Sequence, residues 1–262
     1  MRAFTRLALL GTAGALVATA VGGAGAAQAD DGGSGNITIG KVVVNGGKPV
    51  VVGTTKTVYA KVSVTASDDS GIARTTYIYA DGPGVNFDLI WYDDGDITCV
   101  KASATTSTCT GTVTFDPQAT TGFVDNAAAA TWNLGTSVSA NDYDYIHRDA
   151  ATTFKVQRAS KLTVNAAPEP VKKGKTLTVT GKLSRANWED NLYHGYANQS
   201  VKLQFRKKGS STYTTVKTVK ASSTGALKTT VTASTDGYWR YSFAGTATTP
   251  AISAAGDFVD VR

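Results

Sequence analysis

Apolar and polar side chains alternate along most of this chain. In Thr55–Ala66, Val58, Ala60, Val62, Val64 and Ala66 share one face, while Thr57, Tyr59, Lys61, Ser63 and Thr65 share the other. The same two-residue period marks 176–183 and 200–206, and no helical period occurs between Lys161 and Val261. A strand sends successive side chains to opposite faces, so each run predicts a strand with one buried and one wet side. In the second half, strands are predicted at 161–165, 176–184, 200–206, 212–221, 226–233, 238–244 and 256–261. Short strands of this spacing, separated by turn residues, argue for a β-sandwich. Trp239, Tyr241 and Phe243 fall on one face of their strand and are predicted core.

The first half reads the same way, with strands at 37–44, 50–52, 55–66, 73–80, 87–92, 131–138 and 152–157. Gly46-Gly47, Asp68-Asp69-Ser70-Gly71 and Asp81-Gly82-Pro83-Gly84 supply turns. Residues 97–101 and 107–113 read as a hairpin that sets Cys99 opposite Cys109. Trp91 and Trp132 sit in strands and are expected to pack inside. The Ala127–Ala130 run fits either a helical turn or the start of a strand.

The ends and the composition place these strands in a compartment. Arg2 and Arg6 precede an apolar run from Leu7 to Val21, and Ala27-Gln28-Ala29 has the small-x-small form of a cleavage site. Residues 1–29 are therefore read as a signal peptide, and cleavage leaves 233 of the 262 residues. No cysteine lies near the cut to take a lipid, and no later stretch approaches the roughly 18 apolar residues of a membrane span. The expected location is secreted, extracellular or cell-wall associated. Residues 30–36 read as a flexible leader, 37–158 as an acidic sandwich and 159–262 as a basic one. The boundary near Arg158–Ser160 is so short that the two sandwiches should hold a limited range of angles. Pro168 and Pro170 are expected to interrupt the first edge strand of the second sandwich.

Particular segments carry a resemblance. The run Phe154-Lys155-Val156-Gln157-Arg158-Ala159-Ser160-Lys161-Leu162-Thr163-Val164, the Pro-Glu-Pro-Val-Lys-Lys-Gly of 168–174, the segment 201–209 and the segment Gly237-Tyr238-Trp239-Arg240-Tyr241-Ser242-Phe243-Ala244-Gly245 resemble secreted actinobacterial proteins with tandem Ig-like domains. Ser67-Asp68-Asp69-Ser70-Gly71-Ile72 resembles bacterial Ig-like modules more broadly. The resemblance covers nearly all of the chain after residue 29. It implies an all-β fold of two tandem Ig-like antiparallel β-sandwiches and an extracellular place. Proteins of this kind are often labelled calcium-binding, without a ligand motif that maps onto these residues.

The net charge of +6 conceals a division. Residues 30–158 carry nine Lys/Arg against fourteen Asp and no Glu, whereas 159–262 carry fifteen Lys/Arg against six acids. Solvated surfaces account for both halves; cation binding by the first and wall-polyanion binding by the second are the functional alternatives. The two cysteines, Cys99 and Cys109, are read as a structural disulfide, worth on the order of 2–3 kcal/mol by loop entropy.

Catalysis is not indicated. His147 and His194 are the two histidines, and neither has a nucleophile elbow or a zinc-protease motif beside it. Glu169 and Glu189 are the sole glutamates. Calcium is the sharper candidate, because it takes six to eight oxygens gathered by flexible loops. The candidate ligands are Asp68 and Asp69; Asp93, Asp94 and Asp96; and Asp142 and Asp144, with Asp149 just beyond. None of these runs matches an EF-hand, and aspartate also populates turns for backbone reasons alone. A second candidate is a glycan surface formed by Trp188, Tyr193, His194 and Tyr196 in a long aromatic loop, 187–198; the alternative is that Trp188 folds back over one end of the core. Candidate partners are cell-wall polymers or another extracellular protein. Export argues against nucleic acid.

Overall fold

The computed structural model describes residues 31–83, 89–92, 97–119 and 125–262. The expected signal peptide, Asp93, Asp94 and Asp96 lie outside the described residues. Alternation becomes strand throughout, and the strands pair into four sheets that form two Ig-like sandwiches.

The first sandwich contains β1 (Gly32–Ser34), β2 (Thr38–Val44), β3 (Val50–Val52), β4 (Val58–Ser67), β5 (Ile72–Asp81), β6 (Leu89–Tyr92), β7 (Thr98–Lys101), β8 (Thr106–Phe115), β9 (Thr131–Ala140) and β10 (Tyr145–Arg158). One sheet runs β1-β10-β9-β5-β6, and the other runs β2-β4-β8-β7. The second contains β11 (Ser160–Leu162), β12 (Asn165–Ala167), β13 (Thr176–Asn187), β14 (Leu192–Gly195), β15 (Ser200–Lys207), β16 (Thr214–Lys220), β17 (Ala226–Thr232), β18 (Gly237–Phe243), β19 (Ile252–Ser253) and β20 (Asp257–Val259). Strand β13 is the axis of one sheet, flanked by β11 and β12 on one edge and by β14 and β17 on the other. The facing sheet runs β16-β15-β18, with β19 and β20 beside β18.

The two sandwiches share a crossing. After β2 in the first and β12 in the second, the chain passes to the facing sheet and pairs in parallel with that sandwich's final residues. In the first sandwich β3 runs parallel to Val156–Arg158, and in the second Val171 bridges Val261. The crossing in the second follows Pro168 and Pro170, which end β12 as expected.

The inward faces make two cores. Trp132 is fully buried and meets Phe115 edge-on at 5.4 Å, while its Nε1 donates to the Ala128 carbonyl at 2.7 Å. In the second core Trp239, Tyr241 and Phe243 alternate inward against Leu177, Val179, Leu183 and Leu203. Cys99 and Cys109 are directly opposed on β7 and β8 and are bonded.

Three readings change. Gly32–Ser34, expected to be a flexible leader, pairs antiparallel with Tyr145–His147 as β1. Strand β10 begins at Tyr145 rather than 152; its register shifts between Arg148 and Thr152, a bulge that hides the alternation. The segment 187–198 is not a long loop but mostly the turn and second arm of a β13–β14 hairpin. Residues Asn126–Ala128 form a single 3-10 turn, with the Asp125 carboxylate accepting from Ala127 N at 2.6 Å.

Candidate functional site

The β4–β5 and β9–β10 turns meet at one end of the first sandwich and bring three aspartates together. Carboxylate oxygens of Asp68, Asp142 and Asp144 all lie within 4.8 Å of one another. Asp68 is 4 % exposed. Its Oδ1 accepts from Ser70 N at 2.8 Å and Ser70 Oγ at 2.6 Å, whereas its Oδ2 is buried without a hydrogen-bond partner. Leaving the buried Asp68 oxygen unpaired is costly, and carboxylates this close repel one another.

Local geometry fixes the cluster. Asn141 Nδ2 donates to Ser70 O at 2.8 Å, and Asn141 N donates to Gly71 O at 3.0 Å, which binds the two turns. Asp144 N donates to Asp142 Oδ1 at 3.2 Å, and Asn36 N donates to Asp144 Oδ2 at 2.9 Å. The second bond brings in the entry of the chain. At Gly35, φ is +77°, which favours glycine, and a Cβ there would displace the Asp144 carboxylate from its place in the cluster. The donors offered are all oxygen, the set that suits a hard cation such as calcium and not zinc. Asp69, next to Asp68, is exposed and lies outside the cluster.

The aromatic residues of 187–198 do not form an open platform. Trp188 is 2 % exposed and belongs to the core of the first sandwich, although it is carried by the second. Its Nε1 donates to Gly53 O at 2.9 Å, and its backbone N donates to Asn126 Oδ1 at 3.1 Å. Asn126 Nδ2 donates in return to Asn187 Oδ1 and, at 2.8 Å, to Glu189 Oε1. Tyr193 packs against the same core beneath the Lys161 ammonium, 3.8 Å from its ring centre, and burial pushes its phenol pKa up. Tyr196 packs on the second core under Arg185. His194 is exposed and pairs with Asp190 at 2.6 Å. This hairpin is the joint between the sandwiches, and Trp188, Tyr193 and Tyr196 pack on the two cores. Trp188 does cover one end of a core, but the core of the neighbouring sandwich.

Two arginines complete the joint. Arg158 Nε donates to Ala186 O at 2.5 Å, and Arg185 Nη1 lies 3.4 Å from both Thr248 Oγ1 and Thr249 Oγ1. Burial, and then the neighbouring Arg185 charge, lowers the Arg158 pKa to about 10.

Sequence reasoning missed a hydrogen-bonded chain on the outer face of β5 and β10. Tyr77 OH bonds His147 Nδ1, His147 Nε2 lies 2.8 Å from Asp149 Oδ1, and Tyr79 OH donates to the same oxygen. Burial raises the Tyr77 pKa. The signal was the i, i+2 spacing of Tyr77 with Tyr79 and of His147 with Asp149, which becomes visible only once β10 is extended back to Tyr145. Asp149 therefore stands apart from the aspartate cluster.

No protein-family model matches the chain, and no curated protein matches it. Among solved structures, the chain is similar to a protein of Corynebacterium diphtheriae described as membrane anchored, with 14% identity and a TM-score of 0.32 over 84% of this chain and 53% of that one. It thus spans about half of that protein's length. It is also similar to a chimeric titin Z1Z2 carrying a decorin peptide (9% identity, 86% of this chain, 96% of that one, TM-score 0.26). The D00-D0 domain of intimin gives 12% identity over 86% of this chain and 99% of that one, with a TM-score of 0.26. The Ig-like assignment rests on the strand order itself.

Proposed function

We propose that this chain is an exported, non-catalytic binding protein of the cell exterior whose first sandwich takes up calcium at Asp68, Asp142 and Asp144. The observation that carries the reading is the buried Asp68 Oδ2, which has no hydrogen-bond donor and lies in a group of three carboxylates. A cation there would supply the missing partner and relieve the mutual repulsion. It would also tie the β4–β5 turn, the β9–β10 turn and, through Asn36, the start of the chain into one unit. The signal-like residues 1–29, the Cys99–Cys109 bond and the resemblance to secreted tandem Ig-like proteins support the location. Cell-wall polymers or another extracellular protein are the partners this reading proposes.

The test is thermal unfolding of residues 30–262 in EDTA, in calcium and in magnesium. A ligand that binds only the folded chain adds about 2.7 kcal/mol at 100 times its Kd, enough to raise Tm by several degrees. Calcium should raise Tm more than magnesium, which prefers a rigid hydrated octahedron. Asp68→Asn and Asp142→Asn should each abolish the rise. Equal responses to both ions, or a rise that survives both substitutions, would sink the proposal.

A further inference from the structure

The outward face of the β16-β15-β18 sheet carries an ordered row of cations. On β15, Val201, Leu203 and Phe205 point to the core, so Lys202, Gln204 and Arg206 point out; β18 presents Tyr238, Arg240 and Ser242 on the same side. The register sets Lys202 opposite Ser242, Gln204 opposite Arg240 and Arg206 opposite Tyr238. Tyr213 leans over this face between the two guanidiniums. Arg240 lies 3.7 Å from its ring centre and Arg206 5.2 Å, while Arg206 also stacks on Tyr238 at 4.0 Å. Two hydrogen bonds hold the heads in place: Arg240 Nε donates to Gln204 Oε1 at 2.8 Å, and Arg206 Nη1 donates to Ser210 O at 2.6 Å.

Neither arginine has a carboxylate within ion-pair distance among the described residues. The salt bridges of this sandwich lie at His194–Asp190, Lys208–Asp236 and Arg262–Asp260. A guanidinium has five N–H donors in a planar fork suited to phosphate and carboxylate, and stacking on tyrosine fixes its plane in advance. Strand rise of about 3.3 Å per residue places Lys202 and Arg206 roughly 13 Å apart, with Arg240 between them on the next strand. That spacing suits a line of charges better than a single ion. Fifteen Lys/Arg against six acids over 159–262 give the whole sandwich the matching sign.

We propose that this face, built on Lys202, Arg206, Arg240 and Tyr213, binds a linear polyanion bearing regularly spaced phosphate groups. The inference deepens the partner part of the proposed function and is independent of the calcium site.

The experiment measures binding of residues 30–262 to inorganic polyphosphate and to polygalacturonate, in EDTA so that no calcium bridge contributes. The parent should bind at low salt and weaken as salt rises. Arg206→Gln with Arg240→Gln should weaken binding at least about tenfold, as expected when two charge-assisted contacts are lost. Lys182→Gln with Lys228→Gln, which removes the same charge from exposed positions on the opposite sheet, should change it less than about twofold. Tyr213→Phe should retain binding, and Tyr213→Ser should lose it with little loss of Tm. Preference for polyphosphate over polygalacturonate would support the proposal, and the reverse preference would overturn it. No binding by the parent would overturn it, as would equal losses in the two double variants, which would reduce the effect to net charge. Failure here would leave the calcium-dependent Tm rise untouched, so the two readings fall separately.

Discussion

The indole nitrogen of Trp188 donates to the carbonyl oxygen of Gly53, 135 positions earlier in the chain, at 2.9 Å. One sandwich thus places one of its two tryptophans in the core of the other. Replacing a buried Trp by Ala typically costs about 3–5 kcal/mol. Trp188→Ala should therefore destabilise the first sandwich more than the second, although the residue belongs to the second. Hydrogen exchange at Val50–Val52 should accelerate, while amides of β18 should change little. The opposite distribution would mean that Trp188 serves its own sandwich.

Gly35 and Asp144 compete for one volume. Gly35→Ala combines the left-handed φ, which costs about 1 kcal/mol for a non-glycine residue, with direct overlap of the carboxylate. Stability should fall by more than that 1 kcal/mol, and the calcium response should weaken with it. In an Asp144→Ala background the same change should cost less. Denaturant titrations of the four proteins measure the coupling, and strict additivity would deny it.

Tyr143 sits at φ +74° and is 91 % exposed, so it has conformational strain with little burial in return. Asparagine tolerates this region better. Tyr143→Asn should stabilise the chain by about 0.5–1 kcal/mol in denaturant titration, leaving the neighbouring Asp142 and Asp144 in place.

The Asp236 carboxylate accepts Val261 N at 2.9 Å and the Lys208 ammonium at 3.5 Å, and these bonds, the first foremost, hold its pKa below the ordinary value. A depressed pKa in the folded chain stabilises it above the unfolded value of about 3.9 and ceases to do so as pH falls through the folded value. Asp236→Asn should therefore be less stable than the parent at pH 7, with the gap closing below about pH 4. A gap that stays constant down to acid pH would show that the charge is not involved.

Alternation made β4, β13, β15 and β18 legible because each has one face in a core and one in water. It could not show where Trp188 goes, since burial against a neighbouring sandwich leaves the same trace in the sequence as burial at home. For the same reason the sequence left two readings of the aromatic 187–198 segment, an exposed glycan surface or a cover over a core, and could not show that the core Trp188 covers is the neighbour's. The aspartates were legible as turn residues with ligand chemistry. What separates Asp68 from Asp69 is burial: Asp68, whose backbone N donates to Thr105 O at 2.9 Å, is buried, and Asp69 is exposed. The bulge after Arg148 concealed half of β10, and with it both the pairing of β1 and the Tyr77–His147–Asp149 chain.

The connection between the sandwiches has one further consequence. Strand β10 ends at Arg158 and β11 begins at Ser160, leaving Ala159 alone between them. Ala159 N donates to Val52 O, Ala186 N donates to Ala159 O, and Gln157 and Arg158 are bonded to the 246–248 turn. A pull along the chain at this point would meet several hydrogen bonds and a seated indole before any slack could be paid out. Mechanically the joint is a splice and not a hinge. Little length should therefore be gained at Ala159 before the bonds to Val52, Ala186 and the 246–248 turn break.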